Sequence, residues 1–162
     1  MAAHGQHRLL EPGTLAPEFR LERLGSGWAT LAEILAGGPA LLAFFKISCP
    51  VCQMTFPFLE RIQAAGAVRI FGISQNDAGD TREFNQEFGV TFPTLLDSED
   101  DGFPASNAYG ISSVPSMFLV EPGGKIANVM EGWRKREMEA LAAPALASVF
   151  RPGDYVPEWK AG

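Results

Sequence analysis

The chain has 162 residues, 46% hydrophobic and 20% charged, values ordinary for one well-buried globular core and short for two, so residues 1–162 are expected to form a single domain. A formal charge of −6 argues against nonspecific binding to nucleic acid or an anionic membrane, because both need clustered Lys and Arg; Arg134-Lys135-Arg136 is brief and sits at a helix start. Two cysteines three apart cannot form a disulfide framework, and no run of about 20 apolar residues exists to span a bilayer.

Residues 1–17 contain Gly, Pro and His without periodicity and read as a mobile, peripheral lead-in. Glu11, Pro12, Glu18 and Arg20 interrupt any apolar stretch of the kind a secretory signal carries, so the expected compartment is the cytoplasm, or the periplasm or exterior if a signal has been removed. Residues 19–24 alternate as a strand, Gly25-Ser26-Gly27 turns, and Trp28-Ala29-Thr30 returns as the second arm of a hairpin. A short helix follows to Ala36 and stops at Gly37-Gly38. Residues 40–45, Ala-Leu-Leu-Ala-Phe-Phe, form a continuous apolar run typical of a strand in the middle of a parallel sheet. A helix then runs to about Ala65, kinked at Pro57. Residues 68–73 are the next buried strand. Asp80-Thr81-Arg82-Glu83 has the form of a capping box opening a helix that ends at Gly89. A short strand spans residues 94–97, residues 97–102 make a solvated acidic loop, and residues 104–109 one or two helical turns. Residues 116–120 and 125–131 pair as a hairpin across Glu121-Pro122-Gly123-Gly124. Met138, Leu141, Ala145, Leu146, Val149 and Phe150 mark a last helical face, broken at Pro144, and residues 151–162 form a peripheral tail draped over the surface.

Both cysteines lie in Lys46-Ile47-Ser48-Cys49-Pro50-Val51-Cys52-Gln53-Met54. A Cys-x-x-Cys between a buried strand and a helix start is the arrangement used for dithiol redox chemistry. With a helix starting near Ser48 or Cys49, its buried face collects Val51, Thr55, Phe58 and Ile62, with Cys52 and Leu59 on the flank. Cys52 then borders the core, and Cys49 projects at the helix mouth, where free N–H groups and the positive end of the dipole favour a thiolate. Bringing a thiol from about 8.5 to about 7 takes roughly 2 kcal/mol in favour of the anion, whereas a helix terminus supplies roughly 0.3–1. The remainder falls to hydrogen bonds from the N–H of Val51 or Cys52 and from the Cys52 thiol, with the charge of Lys46 the weakest contributor.

The run from Cys49 to Ile62, with Met54 two after the second cysteine and Pro57 five after it, resembles the thioredoxin superfamily. Gly110-Ile111-Ser112-Ser113-Val114-Pro115-Ser116 resembles that family's second signature, a cis-proline ahead of a strand that packs against the dithiol. With Ala16-Pro17-Glu18-Phe19 leading in, residues 13–150 look like TlpA-like, AhpC/TSA-type redoxins. The resemblance implies an α/β thioredoxin-like fold: a central mixed sheet flanked by helices, here with an N-terminal β-hairpin extension. It also implies thiol-disulfide exchange through a mixed disulfide on Cys49, with Val114 and cis-Pro115 binding the partner strand. Three positions depart from the pattern: Ala43 and Thr55 stand where relatives place a carboxylate that takes the proton of the second cysteine, and Ser48 where a tryptophan is common.

The expected function is therefore a thiol-disulfide oxidoreductase with Cys49 as attacker and Cys52 as resolving thiol. Its partners would be protein disulfide or dithiol clients and an upstream reductant, with no nucleic acid, membrane, metal or cofactor, in a monomer or weak dimer. A peroxiredoxin-like thiol peroxidase is the alternative, but aligning Cys52 with the peroxidatic cysteine of a Pro-x-x-x-Thr-x-x-Cys run puts Phe45 at the proline and Cys49 at the threonine. A non-catalytic redox-sensing module and a zinc site completed by His4 and His7 stand further back.

Overall fold

The computed structural model of the chain describes residues 8–162; His4 and His7 lie outside them. In chain order the elements are β1 (Arg20–Arg23), β2 (Trp28–Thr30), α1 (Leu31–Ala36), β3 (Ala40–Phe45), α2 (Pro50–Ala64), β4 (Ile70–Ser74), α3 (Ala78–Phe88), β5 (Thr94–Leu96), α4 (Pro104–Ala108), β6 (Ser116–Val120), β7 (Ile126–Glu131), β8 (Trp133–Arg134), α5 (Lys135–Ala142), α6 (Leu146–Val149) and β9 (Trp159–Lys160). No helix among the described residues is long and apolar enough to cross a membrane.

Seven strands form one mixed sheet in the order β2-β1-β5-β4-β3-β6-β7. β3, β4 and β5 run parallel, and β6 is antiparallel to β3 and to β7. The expected N-terminal hairpin is present; β1 joins it to the main sheet by pairing antiparallel with β5. All six residues of β3 are buried, because successive side chains point to opposite faces and both faces are covered. The Phe45 ring lies 4.3 Å from Phe56 of α2 and 4.9 Å from Phe84 of α3. Its neighbour Phe44 lies 5.3 Å from Tyr109, just past α4. Burying each such ring contributes about 1.5–3 kcal/mol, so the central strand is fixed from above and below.

That strand sets the site. Antiparallel pairing brings Phe44 opposite Ser116, so the end of β3, which leads to Cys49, lies beside the start of β6, which follows Pro115. The Val114–Pro115 bond is cis.

Several local expectations shift. The lead-in is pinned from Leu10 onward: Gly13 N–H donates to Ile126 O and Ala16 N–H to Gly124 O, both at 2.8 Å, and Ile126 N–H to Thr14 O at 2.8 Å. α3 begins three residues early, because Asp77 is the extended residue whose carboxylate accepts from Asp80 N–H. α2 continues as one helix through Pro57. Asp97 is no solvated loop residue but fully buried; its carboxylate accepts from Ala105 N–H at 2.8 Å, Ser106 N–H at 2.7 Å and the Ser106 hydroxyl at 2.5 Å. Leu146, assigned to the buried face of the last helix, is 41% exposed. The tail does more than drape, since β9 pairs antiparallel with β8.

Candidate active site

Cys49 is the N-cap residue of α2, with φ −85° and ψ 112° and Pro50 in the first turn. Proline is favoured there because its missing N–H is one of the donors a helix start leaves unpaired. The Cys49 Sγ accepts the Cys52 N–H at 3.1 Å, the place a serine or aspartate oxygen takes in an ordinary cap. Cys49 is partly exposed and Cys52 has no exposure; both are free thiols. Val51, Cys52, Thr55, Phe58, Leu59 and Ile62 are all buried, the helix face expected from the sequence.

Two polar side chains brace the approach loop. Gln53 Nε2 donates to Ile47 O at 2.9 Å, and the Ile47 N–H donates to Asn76 Oδ1 at 3.0 Å. Sequence reasoning put Gln53 on the exposed side of α2 and gave Asn76 no part. The 29-residue separation of Asn76 from Ile47 leaves no local signal for that contact.

The two thiols are electrostatically unlike. The Cys49 pKa is lowered to about 6, first by the hydrogen bond from the Cys52 thiol, against the opposing effect of burial, then by the backbone N–H groups of Cys52 and Val51, and last by Lys46. Burial pushes Cys52 strongly the other way, reinforced by its bond and charge interaction with Cys49. Thr55 and Ala43 are fully buried, and the Thr55 hydroxyl donates back to Val51 O at 2.7 Å, so neither position holds a carboxylate for the Cys52 proton. At the departure before the dithiol, Ser48 is exposed.

The loop before β6 closes the other side. The Cys49 thiol donates to Val114 O at 3.3 Å, which brings Cys49, Cys52, Val114 and Pro115 into one place. Val114 and Pro115 are buried, and among the described residues the Val114 N–H has no partner. A cleft of about 210 Å³ opens next to this loop, with Lys46, Gln75, Ser106 and Val114 in its wall.

The family model described as the AhpC/TSA family matches residues 12–129. Among curated proteins, the thiol-disulfide oxidoreductase ResA of Geobacillus thermodenitrificans is 27% identical over 129 residues, 77% of this chain and 72% of that protein. ResA of Bacillus subtilis is 28% identical over 134 residues, 80% of this chain and 72% of that protein. Among solved structures, a Chlorobium tepidum protein regarded as a thiol:disulfide interchange protein DsbE superposes with a TM-score of 0.72 at 26% identity, over 87% of this chain and 99% of that one. The peroxidoxin BcpB of Mycobacterium tuberculosis superposes at 0.67 with 19% identity, over 86% of this chain and 96% of that one, a likeness of fold alone.

Proposed function

This chain belongs to the AhpC/TSA family, and from that premise we propose that it works as a thiol-disulfide oxidoreductase through Cys49 and Cys52. The observation that carries the reading is the asymmetry of the pair: a partly exposed thiol at a helix N-cap with a pKa of about 6, and a fully buried one held protonated beside it. The Cys49 thiolate attacks one sulfur of a client disulfide, and the other client sulfur leaves as a thiolate that takes up a proton. Cys52 then loses its proton and attacks Cys49 Sγ, expelling the second client thiol and closing the Cys49–Cys52 disulfide. Two electrons pass to the client, and an upstream reductant returns them. The sequence of steps suits the electrostatics. Two of the three influences that raise the Cys52 pKa come from Cys49, and both are altered once Cys49 is tied up in the mixed disulfide.

Val114 and Pro115 serve as the client-docking element in this reading, since the Val114 carbonyl touches the attacking thiol and its N–H is free to pair with an extended segment. In a reducing cytosol the pair runs as a reductase; after export it serves a specific client while the reductant keeps it open. The test is turnover: with dithiothreitol as electron source, the protein is expected to reduce the interchain disulfides of insulin and to consume hydrogen peroxide slowly. Rapid peroxide consumption without insulin reduction would replace this reading with a thiol peroxidase.

A further inference from the structure

The segment 159–162 runs along β8 and reaches the docking element through Gly162. β9 pairs with β8, Trp133 opposite Lys160 and Arg134 opposite Trp159, and the strand is led in by two anchors: Trp133 Nε1 donates to Pro157 O at 2.6 Å, and Lys135 N–H to Glu158 O at 2.9 Å. Trp133 is itself fully buried, its ring 5.2 Å from Phe58 of α2. Further back, Asp154 pairs with Arg61 of α2 at 2.8 Å.

Two glycines let the segment come this close. Gly132 has φ +71°, and a Cβ there would sit 2.5 Å from Lys160 O. A Cβ on Gly162 would run into Val114 O, 2.6 Å from its carbonyl carbon and 3.2 Å from Pro115 Cδ. The Val114 carbonyl is thus contacted by the Cys49 thiol on one hand and by the Gly162 backbone on the other. An extended client pairing along Val114 needs the space that Gly162 fills.

We propose that residues 159–162 form a self-docked strap on the client-binding edge at Val114–Pro115, which a protein client must displace before Cys49 can reach its disulfide and which small disulfides bypass. The strap makes the site selective for clients able to compete for that edge. Four residues, all exposed and paired only through two-residue strands, make a hold that a partner can release, while the anchors at Pro157 and Asp154 keep the segment close enough to return. The proposal rests on the exchange reading above.

Gly162→Ala, which adds the methyl group that meets Val114 O, and a chain ending at Glu158 test it together. Each is compared with the unaltered protein for reduction of insulin and of hydroxyethyl disulfide. Both variants are expected to reduce insulin at least about threefold faster, the gain expected when the competent state is freed from a minor population, with the small-disulfide rate unchanged. In Cys52→Ser joined to a cysteine peptide through Cys49, the amides of residues 159–162 are expected to exchange hydrogen faster than in the free protein. Equal or slower insulin reduction by both variants, with small-disulfide turnover intact, would overturn the strap and leave the exchange reading standing. Absence of turnover with either disulfide in the unaltered protein would overturn the exchange reading and the strap with it.

Discussion

The Cys49 sulfur is pulled in opposite directions by its neighbours. As a thiol it donates to Val114 O; as a thiolate it loses that bond and keeps the donors on the other side, the Cys52 thiol and the N–H groups of Cys52 and Val51. The donors win, and the Cys49 pKa falls to about 6, while burial holds Cys52 protonated. Alkylation by iodoacetamide follows the thiolate fraction. For the reduced protein the rate should therefore rise through about pH 6 and level off above it, with mapped label on Cys49 and none of the additional rise above about pH 8.5 that an ordinary second thiol would bring. Because the Cys52 thiol is the first cause and Lys46 the last, Cys52→Ala should move the midpoint up clearly and Lys46→Ala hardly at all. Preferential label on Cys52, or a larger shift from Lys46→Ala, would reverse the assignment. These groups were nameable from sequence because all lie within residues 46–52, where helix geometry alone places them; the Val114 carbonyl, 65 residues away, entered only through the resemblance.

Among the elements, those with a local cause were legible and those with a distant partner were not. The apolar run of β3, the helix face of α2 and the left-handed stop of α3 at Gly89 follow from spacing and from glycine's freedom at positive φ. The start of α3 did not, because Asp77 and Asp80 both suit a cap and only the backbone, extended at Asp77, chooses between them. β9 has two residues, too few to carry a period, and its partner β8 lies about 26 positions back. Asp97 looked like one more acid in an acidic run, yet it is the residue that caps α4 from the end of β5. Removing its carboxylate leaves the N–H groups of Ala105 and Ser106, both nearly inaccessible, without their acceptor. At about 1–3 kcal/mol for each of these two orphaned buried groups, Asp97→Ala should cost roughly 2–6 kcal/mol in urea unfolding. A loss within the roughly 0.5 kcal/mol of an ordinary surface substitution would contradict that role.

At the scale of the molecule, the sheet order explains why two distant segments of chain meet at one dithiol. β3 delivers Cys49 and β6 carries Pro115 away, and their antiparallel pairing makes the two ends neighbours. The remaining strands stiffen that junction from the sides: β4 and β5 beyond β3, the N-terminal hairpin beyond β5, and β7 beyond β6. The fold class was legible through the resemblance carried by the run from Cys49 to Ile62 and by Gly110 to Ser116, with which the strand and helix signals around the Cys-x-x-Cys agree. The pairing of β1 with β5, about 70 residues apart, and the return of the tail to the site were not, since nothing in either segment alone encodes its partner. The same fold is shared with a peroxidoxin, so architecture does not decide between exchange and peroxide chemistry; the exchange proposed here rests on the division of labour between the two sulfurs. That division is tested most directly by trapping. Reduced Cys52→Ser and Cys49→Ser proteins are each exposed to insulin, alkylated, and examined by mass spectrometry for mixed disulfides. The account predicts abundant insulin adducts through Cys49 in Cys52→Ser and few in Cys49→Ser; equal trapping by both, or adducts formed mainly through Cys52, would contradict it.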